Sequence, residues 1–420
     1  MNLLEELQNR GLVESLTSPE IVKHLEKPVT LYCGFDPTAR SLQAGNLVSI
    51  MVLKRFQQAG HHVIALVGGA TGLIGDPSGK STERNMLTLE QMAVNKAGIR
   101  ENLSRILDFD GPNPAIMLDN YDFYKDTSAI SFLRDIAINF RVPQMLAKES
   151  VKKRLEAREG ALTFTEFSYQ ILQGNDFYEM FKSHNCTMEV GGADQWGNIT
   201  AGTDLIHRMT GKEAFGLTFP LLLDSTGKKF GKSEGNALFL DETMTSVYDW
   251  YQYFLRASDA DVIRYLKVFS MKSLEEIADL EAQMNANPEA RIPQRALAEE
   301  LTLLVHGEAG LKKALGATQT LFGGDISGKS ADELEQIFKD VKSGMLAKAE
   351  VVGKAAFAVA SAAGMFTSNG EARRMAKQGG LSLNGRKVTD ATLVGEGDLI
   401  DGRLMVFKSG KKNNFLVKVA

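Results

Sequence analysis

At 420 residues the chain is too long for one ordinary domain, so two or three domains are expected. An apolar content of 44% and a mean hydropathy of −0.14 are typical of a soluble globular protein. The two cysteines, Cys33 and Cys186, are too few and too far apart to indicate a disulfide framework or a zinc site. No apolar run is long enough for a bilayer, and no basic-led apolar leader is present, so we expect a cytoplasmic protein.

The net charge of −4 is unevenly distributed along the chain. Residues 351–420 contain 11 Lys or Arg and 5 Asp or Glu, a balance of +6, which leaves −10 on the remaining residues. A basic end on an acidic body is typical of a protein with a polyanionic partner, but also of an ordinary solvated surface. The charge count alone does not choose between these interpretations.

Strand and helix patterns alternate through the first half of the chain. In order, the patterns predict a strand at Val29–Cys33, a helix from about 43–46 to Ala59, a strand at His62–Val67, a helix at Leu89–Leu107, a strand at Ala115–Leu118, a mostly helical stretch at 127–182, a strand at Thr187–Val190 and a helix at Asp194–Met209. This alternation predicts an α/β fold, a Rossmann-like doubly wound parallel sheet with a helical insertion.

The second half of the chain has a different pattern. Residues 245–321 have helical periodicity throughout, and a small α+β unit is expected from about residue 351. We therefore predict domains at 1–222, 223–325 and 351–420, with a linker at 326–350.

Three glycine-containing, partly basic loops each follow an apolar run. They begin at Gly34, after the first strand, at Gly68, after the second, and at Lys228, after the apolar run 219–223. Such loops at the carboxyl edge of a parallel sheet favour nucleotide binding. Two Gly-Lys-Ser triplets, at 79–81 and 231–233, look like the end of a P-loop, but the required earlier glycine is replaced by Ile74 and Thr226. A P-loop kinase or ATPase is therefore disfavoured.

Four stretches of the sequence form specific motifs. They are Leu-Tyr-Cys-Gly-Phe-Asp-Pro-Thr at 31–38, Phe-Thr-Glu-Phe-Ser-Tyr-Gln-Ile-Leu-Gln at 164–173, Gly-Gly-Ala-Asp-Gln-Trp-Gly-Asn at 191–198 and Lys-Phe-Gly-Lys-Ser at 229–233. The last stretch, with the glycine loops, resembles class I aminoacyl-tRNA synthetases, and the first three resemble, within that class, the bacterial tyrosyl-tRNA synthetases. The resemblance implies an enzyme that activates L-tyrosine with ATP, releases pyrophosphate, and transfers tyrosine to the 3′ end of tRNA(Tyr). It also implies a homodimer, Mg²⁺ carried with ATP, and no tightly bound cofactor. On this resemblance, 1–222 is the catalytic domain and 223–325 holds the lysine–serine loop and an anticodon-binding-type helical domain.

The resemblance also implies roles for individual residues. The tyrosine site would comprise Tyr32 and Asp176 at the phenolic hydroxyl, Asp76, Tyr169 and Gln173 at the α-amino group, and Gln195 at the carbonyl. The ATP site would comprise Asp36, Gly45, Ser49, Gly192, Asp194 and Lys232, and the catalytic set Thr38, Gln43, Asn46, Lys80, Arg84, Lys229, Lys232 and Ser233.

The residue types suit this chemistry. A substrate carboxylate that attacks the α-phosphorus of ATP is already ionised, so no general base is needed and catalysis reduces to positioning and charge stabilisation. Lysine and arginine on loops serve that purpose, although each alone would indicate only a solvated surface charge. Tyr169, Gln173 and Asp176 are spaced to share one face of a helix, which indicates either a polar site or a solvated helix face.

The basic end of the chain resembles the small RNA-binding module that bacterial tyrosyl enzymes share with a ribosomal protein. Its residues 368–387 would form a helix that presents Arg373, Arg374 and Lys377 to phosphates, followed by a hairpin that turns at Asn384-Gly385. The charge asymmetry and the resemblance here point to the same partner, an RNA.

The sequence departs from the family at one motif. Gln43 and Asn46 stand where the class I signature has two histidines, and both are neutral hydrogen-bond donors that could serve a phosphate. This departure leaves a second hypothesis open, a non-catalytic RNA-binding relative that kept the fold. A tryptophan-specific relative is disfavoured, because Tyr32 and Asp176 suit a phenol.

Overall fold

The computed structural model of the chain describes residues 2–78, 87–156, 162–233, 236–321, 326–339, 341–410 and 413–420. The chain forms two compact units. The first comprises Met1–Thr245 and Gln252–Val305, and the second comprises Ser246–Tyr251 and His306–Ala420. The predicted division at 222/223, 325/326 and 350/351 is finer than these two units and stays a prediction.

The first unit is built on a six-stranded sheet. Its strands are β1 (Ser15–Leu16), β2 (Thr30–Phe35), β3 (His62–Val67), β4 (Ile116–Asp119), β5 (Cys186–Gly192) and β6 (Phe215–Phe219), in the spatial order β1-β6-β5-β2-β3-β4. All neighbouring pairs are parallel except β1 with β6. The chain proceeds outward from β2 to β4 on one side and from β5 to β6 on the other. The crevice between β2 and β5 is therefore the switch point at which ligands bind in such sheets.

Helices cover this sheet and continue beyond it. They are α1 (Leu3–Asn9), α2 (Ile21–His24), α3 (Leu47–Gln58), α4 (Thr71–Ile74), α5 (Leu89–Ser104), α6 (Tyr121–Tyr124), α7 (Ala129–Ser131), α8 (Val142–Leu146), α9 (Glu149–Glu156), α10 (Phe164–His184), α11 (Trp196–Thr210), α12 (Val247–Leu255), α13 (Asp259–Phe269), α14 (Leu274–Ala286) and α15 (Ile292–Leu321, interrupted at Gly307). Two short strands, β7 (Lys232–Ser233) and β8 (Asn236–Ala237), form a separate pair. The predicted α/β class, parallel sheet and helical insertion are confirmed.

Helix α10 carries three of the six residues predicted for the tyrosine site. Thr163 and Glu166 form a capping box at its start, and Asn185 ends it in the left-handed conformation. Its apolar face packs on the sheet through Phe177, whose ring centroid lies 5.3 Å from that of Tyr32. Gly202 of α11 permits close packing from the other side, because a Cβ there would lie 2.7 Å from the Phe177 ring. Phe177 is fully buried, and its burial contributes roughly 1.5–3 kcal/mol to the packing of α10 against the sheet.

The last strand of the sheet differs from the sequence pattern. The sequence places an apolar run at 219–223, whereas β6 spans Phe215–Phe219. Gly216 and Thr218 dilute the apolar signal of this strand, yet both are buried. Gly216 is required by packing, since a Cβ there would lie 2.3 Å from the Ile199 side chain.

The second unit contains a five-stranded sheet. Its elements are α16 (Ala331–Ile337), β9 (Ser343–Leu346), α17 (Lys348–Val351), α18 (Ala356–Ala362), α19 (Asn369–Lys377), β10 (Leu381–Leu383), β11 (Arg386–Lys387), β12 (Leu404–Ser409) and β13 (Asn413–Val419), with the strand order β11-β10-β12-β13-β9. The stretch predicted as a linker thus contributes a helix and a strand, because β9 pairs in parallel with β13.

The predicted hairpin at the end of the chain is confirmed. Strands β10 and β11 are antiparallel, and they are joined by Asn384 (φ 48°) and Gly385 (φ 84°). A two-residue type I′ turn requires positive φ at both central residues, which explains the Asn-Gly pair. Within the described ranges, no helix combines the length and apolar character that a membrane crossing needs.

Candidate active site

A cavity of about 400 Å³ opens at the carboxyl ends of β2, β3 and β5 in the first unit. Its walls include most of the residues predicted for the two substrate sites: Tyr32, Asp36, Thr38, Gly45, Asn46, Ser49, Asp76, Tyr169, Gln173, Asp176, Gly192, Asp194, Gln195 and Lys229. Residues from separate stretches of the sequence therefore meet at the switch point of the sheet.

Some predicted residues do not line this cavity, and others lie outside the described residues. Gln43 and Lys232 are described but do not line the cavity. Gln43 instead pairs with Phe239, and its backbone N–H donates to Asn46 Oδ1 at 3.0 Å. Lys80 and Arg84 lie outside the described residues, as does the side chain of Ser233. Their assigned roles stay predictions.

The carboxyl of Asp176 is a deeply buried polar group of the cavity, and the residue is 1% exposed. It accepts hydrogen bonds from Tyr124 Oη at 2.6 Å and Asn120 Nδ2 at 2.9 Å. Burial raises the pKa of Asp176 to about 7, although both hydrogen bonds oppose that shift. The Asp176 carboxyl is thus held in place by two hydrogen bonds, and its oxygens can still accept a hydrogen bond from a further donor.

Asn120 and Tyr124 were not predicted from the sequence. Asn120 directly follows β4, and its Oδ1 also accepts the backbone N–H of Ala70 at 2.7 Å. Tyr124 lies in the four-residue helix α6. Both come from the connection after β4, where polar residues are too common for the sequence to single out a pair.

A second carboxyl, that of Asp36, follows β2 directly and is held by two hydroxyl donors. Tyr169 Oη donates to its Oδ2 at 2.9 Å, and Thr71 Oγ1 donates to its Oδ1 at 2.7 Å. The backbone of Gly68 lies so close that a Cβ there would be 2.1 Å from Asp36 Oδ1. Glycine at position 68 is therefore needed for the Asp36 carboxyl to occupy this position.

A third carboxyl, that of Asp76, closes the side of the cavity. It accepts the Ser78 backbone N–H at 2.9 Å and Gln195 Nε2 at 2.8 Å. Asp194 lies next along the wall, where burial and the neighbouring Asp76 raise the pKa of its carboxyl and Lys229 opposes the shift. Five carboxyl groups, counting Glu189, face one lysine among the described wall residues, so the interior favours a cationic group such as an ammonium.

Glu189 is the most unusual residue that sequence reasoning missed. It lies within β5, is 2% exposed, and accepts a hydrogen bond from Gln173 Nε2 at 2.8 Å. Burial raises its pKa to about 8. The signal that could have identified it is a lone carboxyl inside an otherwise apolar strand, a pattern that has no place in a purely structural core.

The lysine loop is anchored beside the cavity by its middle residues. Phe230 is buried and stacks on Phe269 at a centroid distance of 4.9 Å. Gly231 has φ 78°, donates its N–H to Tyr253 Oη at 2.8 Å, and lies against Ala44, to which a Cβ would come within 3.1 Å. Lys229 and Lys232 are both exposed, and of the two Lys229 lines the cavity.

The basic helix predicted near the end of the chain is α19. Its buried face carries Ala372 and Ala376, while the basic residues Arg373, Arg374 and Lys377 are all exposed. Asp390 lies 3.6 Å from Arg373 and 3.5 Å from Lys377, so part of this positive charge is already balanced.

Among the described residues, no group of three His, Cys, Asp or Glu side chains is placed to hold a metal ion.

Comparison with known proteins identifies the family. The family model of class I tRNA synthetases (W and Y) matches residues 23–323, and a model of the tyrosine–tRNA ligase SYY-like C-terminal domain matches residues 333–417. The chain is 46% identical over 425 residues to a tyrosine–tRNA ligase of Opitutus terrae and 47% identical over 426 residues to one of Bacillus caldotenax, with 100% of each chain covered.

A solved structure agrees with these sequence matches. The C-terminally truncated mitochondrial tyrosyl-tRNA synthetase of Aspergillus nidulans superposes with a TM-score of 0.68 at 30% identity, covering 76% of this chain and 94% of that one. The resemblance seen in the motifs is confirmed, and a tryptophan-specific relative has no support from the full-length relatives. The chain therefore belongs to the class I tRNA synthetases and, within them, to the tyrosine–tRNA ligase family.

Proposed function

We propose that the cavity at the carboxyl edge of the sheet binds L-tyrosine and ATP side by side and forms tyrosyl-adenylate, from which tyrosine passes to the 3′ end of tRNA(Tyr). Tyrosine–tRNA ligation is the activity of the family to which the chain belongs. The observation that carries the proposed site is the buried, doubly hydrogen-bonded carboxyl of Asp176 beside Tyr32 at the cavity floor. The comparisons lend no support to a non-catalytic RNA-binding relative.

The phenolic end of tyrosine would lie against Tyr32 and Asp176. A substrate hydroxyl can donate to the Asp176 carboxylate and accept from the Tyr32 hydroxyl, whereas a bare ring leaves both buried groups without partners. An unpartnered buried polar group costs about 1–3 kcal/mol, more if it is charged, so this end of the cavity would select against phenylalanine.

The α-amino end would lie among Asp76, Tyr169 and Gln173. Support comes from the excess of carboxyl groups in the wall, which favours the ammonium form of the substrate. Asp76 also bonds Gln195, the residue proposed to contact the substrate carbonyl. One hydrogen-bonded pair would thus position both ends of the amino-acid backbone, which leaves the substrate carboxylate directed towards ATP.

ATP would bind along the glycine-containing segments above the tyrosine site. Thr38, Gly45, Asn46, Ser49, Gly192 and Asp194 line this part of the cavity, and we assign them with Asp36 to the nucleotide. In the reaction an oxygen of the tyrosine carboxylate bonds to the α-phosphorus, and the bond from that phosphorus to the pyrophosphate oxygen breaks. No proton moves, so protein groups act by holding charge.

The phosphates would be held by cations on the loops. Lys229 is in the cavity wall, and we keep Gln43, Lys80, Arg84, Lys232 and Ser233 as further proposed phosphate contacts. Lys232 is exposed, and the adjacent Gly231 lies close to Ala44. This arrangement would let the loop at 229–233 and the segment at 43–46 meet around the phosphates. We propose that Mg²⁺ arrives with ATP, because phosphate oxygens are its preferred ligands.

The tRNA would contact helix α19 through Arg373, Arg374 and Lys377. The position of all three side chains on one short helix and the charge of +6 on residues 351–420 support this role. Because the charging reaction belongs to protein synthesis, we place the enzyme in the cytoplasm.

We also propose that two copies associate through the helical insertion. Exposed apolar side chains concentrate there, including Ile130 (71% exposed), Ile138 (62%), Val142 (55%) and Phe164 (73%). Such a concentration marks an interaction surface, and soluble assemblies are most often two-fold dimers. Phe164 begins α10, so a dimer contact there would also steady the helix that carries the tyrosine site.

The first test replaces the acceptor at the cavity floor. Asp176→Asn should lower kcat/KM for tyrosine in ATP–pyrophosphate exchange by roughly 10–150-fold, the equivalent of about 1.5–3 kcal/mol for a hydrogen bond to a charged group. Asp122→Asn, which alters an exposed carboxyl paired with Lys125, is the matched control and should leave the exchange unchanged. Normal tyrosine kinetics in a folded Asp176→Asn enzyme would contradict the assignment.

The second test neutralises the basic face of α19. Changing Arg373, Arg374 and Lys377 to Gln should leave pyrophosphate exchange unchanged but raise the KM for tRNA(Tyr). The slope of log K against log salt should fall by about 0.7–0.9 for each phosphate that the variant no longer binds. Lys23→Gln with Lys27→Gln, two exposed lysines of the first unit, serves as the control for charge removal. Unaltered charging and salt dependence in the α19 variant would rule out this RNA interaction.

The third test concerns assembly. Sedimentation equilibrium should give about twice the 46.0 kDa chain mass at micromolar concentration. Ile130→Glu with Val142→Glu should shift the protein to the monomer, because it places charge on the proposed contact face. Met209→Glu, at an exposed apolar position on α11, should not. A wild-type protein that sediments as a monomer would end the proposal.

A further inference from the structure

Glu189 and Tyr32 occupy opposite positions on the adjacent parallel strands β5 and β2. Both line the cavity, and their exposed fractions are 2% and 1%. Within the described residues, neither Tyr32 Oη nor Glu189 Oε2 completes a hydrogen bond of normal geometry. Two buried polar atoms from facing residues therefore need an arrangement of protons that satisfies both.

The other oxygen of Glu189 is already in use. Its Oε1 accepts the hydrogen bond from Gln173 Nε2, at 2.8 Å. A neutral carboxylic acid fits this arrangement well, because its carbonyl oxygen accepts while its hydroxyl donates. A carboxylate would have only acceptors, and Oε2 could then be satisfied only if the Tyr32 hydroxyl turned towards it.

The charged and titratable groups around Glu189 come from four elements. On its own strand lies Cys186, on β2 lie Cys33 and Tyr32, on α10 lies Asp176, and Lys148 follows α8. Burial raises the pKa of Glu189 to about 8. Gln173, Tyr32 and Lys148 oppose this increase, and Asp176 adds to it. Burial also lowers the pKa of Lys148 to about 8, so this lysine is a weak counter-charge in the alkaline range.

We propose that Glu189 is a positioning residue for tyrosine recognition, which as a neutral acid donates its Oε2–H to Tyr32 Oη and so directs the Tyr32 hydroxyl at the substrate. The proposal rests on the assignment of the phenol to Tyr32 and Asp176. The hydrogen bonds then run in one direction, from Glu189 to Tyr32, from Tyr32 to the substrate hydroxyl, and from that hydroxyl to Asp176. Each hydroxyl between the two carboxyl groups gives one proton and accepts one.

Ionisation of Glu189 reverses the direction of the first hydrogen bond in this series, the one between Glu189 and Tyr32. The Tyr32 hydroxyl would donate to the new carboxylate, and the substrate oxygen would have no donor. Because the donor is present below the pKa of Glu189 and absent above it, recognition of the phenol should weaken as the pH rises through about 8. The effect is specific to ligands with a hydroxyl, because the α-amino and carboxylate contacts do not involve Tyr32.

The test uses the full-length wild-type enzyme and two variants in ATP–pyrophosphate exchange. The quantity compared is the ratio of kcat/KM for tyrosine to that for phenylalanine, measured for the wild type and divided by the same ratio for Glu189→Gln at each pH. This quotient should fall about tenfold between about pH 6.5 and pH 9, one unit above the pKa of Glu189. Groups that act on both amino acids, Lys148 included, cancel within each ratio. The titration of Asp176, whose pKa is about 7, affects only the ligand with a hydroxyl, and it cancels in the quotient because Glu189→Gln retains Asp176 and keeps a donor and an acceptor at position 189 at every pH.

A third enzyme shows whether Glu189 acts through Tyr32. Glu189→Leu removes the donor at every pH, so its tyrosine-to-phenylalanine ratio should be reduced already at about pH 6.5, and Glu189→Gln should restore it. Circular dichroism and the KM for ATP establish that each variant is folded. A wild-type ratio that keeps the same proportion to the Glu189→Gln ratio at every pH, or an unreduced ratio in folded Glu189→Leu, would overturn the proposal. An enzyme that uses no tyrosine at any pH would overturn the proposed function instead.

Discussion

The architecture of the first unit depends on burying carboxyl groups at the crevice between β2 and β5. A buried carboxyl without donors is very costly, so each one recruits partners from a different part of the chain. Asp176 on α10 needs Asn120 and Tyr124 from the connection after β4, and Asp36 after β2 needs Thr71 from α4. The polar network therefore joins four segments that the apolar core alone would not place so closely.

On the proposed assignment, the same network would let one cavity hold two unlike substrates. Its interior is rich in carboxyl groups, which suits an amino acid's ammonium and a phenol's hydroxyl. Lys229, the cation in the described wall, is held there by the burial of Phe230, and we propose it as a phosphate contact. Because the reaction needs no general base, the protein can keep its acidic groups for recognition and its basic groups for phosphate.

Sequence reasoning predicted the fold well where one physical signal dominated. The strand His62–Val67 is predicted to the residue, because a buried parallel strand is a continuous apolar run. The spacing of Tyr169, Gln173 and Asp176 predicted that they share one helix face, and in the structure all three lie on α10 and line the cavity. The turn at Asn384-Gly385 was also predicted correctly, since few residue pairs tolerate two positive φ values.

The missed features depend on contacts between distant segments. The sequence misplaces β6 because Gly216 is required for its packing against Ile199 and carries no strand signal of its own. It assigns β9 to a linker because the pairing of β9 with β13 joins residues about seventy positions apart. Asn120 and Tyr124 become recognisable as site residues only when the fold brings them to Asp176, and no spacing in the sequence encodes that contact.

Binding of tyrosine and phenylalanine to the wild-type enzyme tests most directly whether the buried groups at the cavity floor recognise a phenol. Sites built to hydrogen-bond a substrate hydroxyl reject the analogue that lacks it by roughly 10⁴–10⁵, a range for which tyrosine–tRNA ligases are themselves the reference. Titration calorimetry near neutral pH should show saturable binding of tyrosine and no detectable binding of phenylalanine at matched concentration. Comparable affinities for the two amino acids would contradict the assignment of Tyr32 and Asp176 to the phenolic hydroxyl.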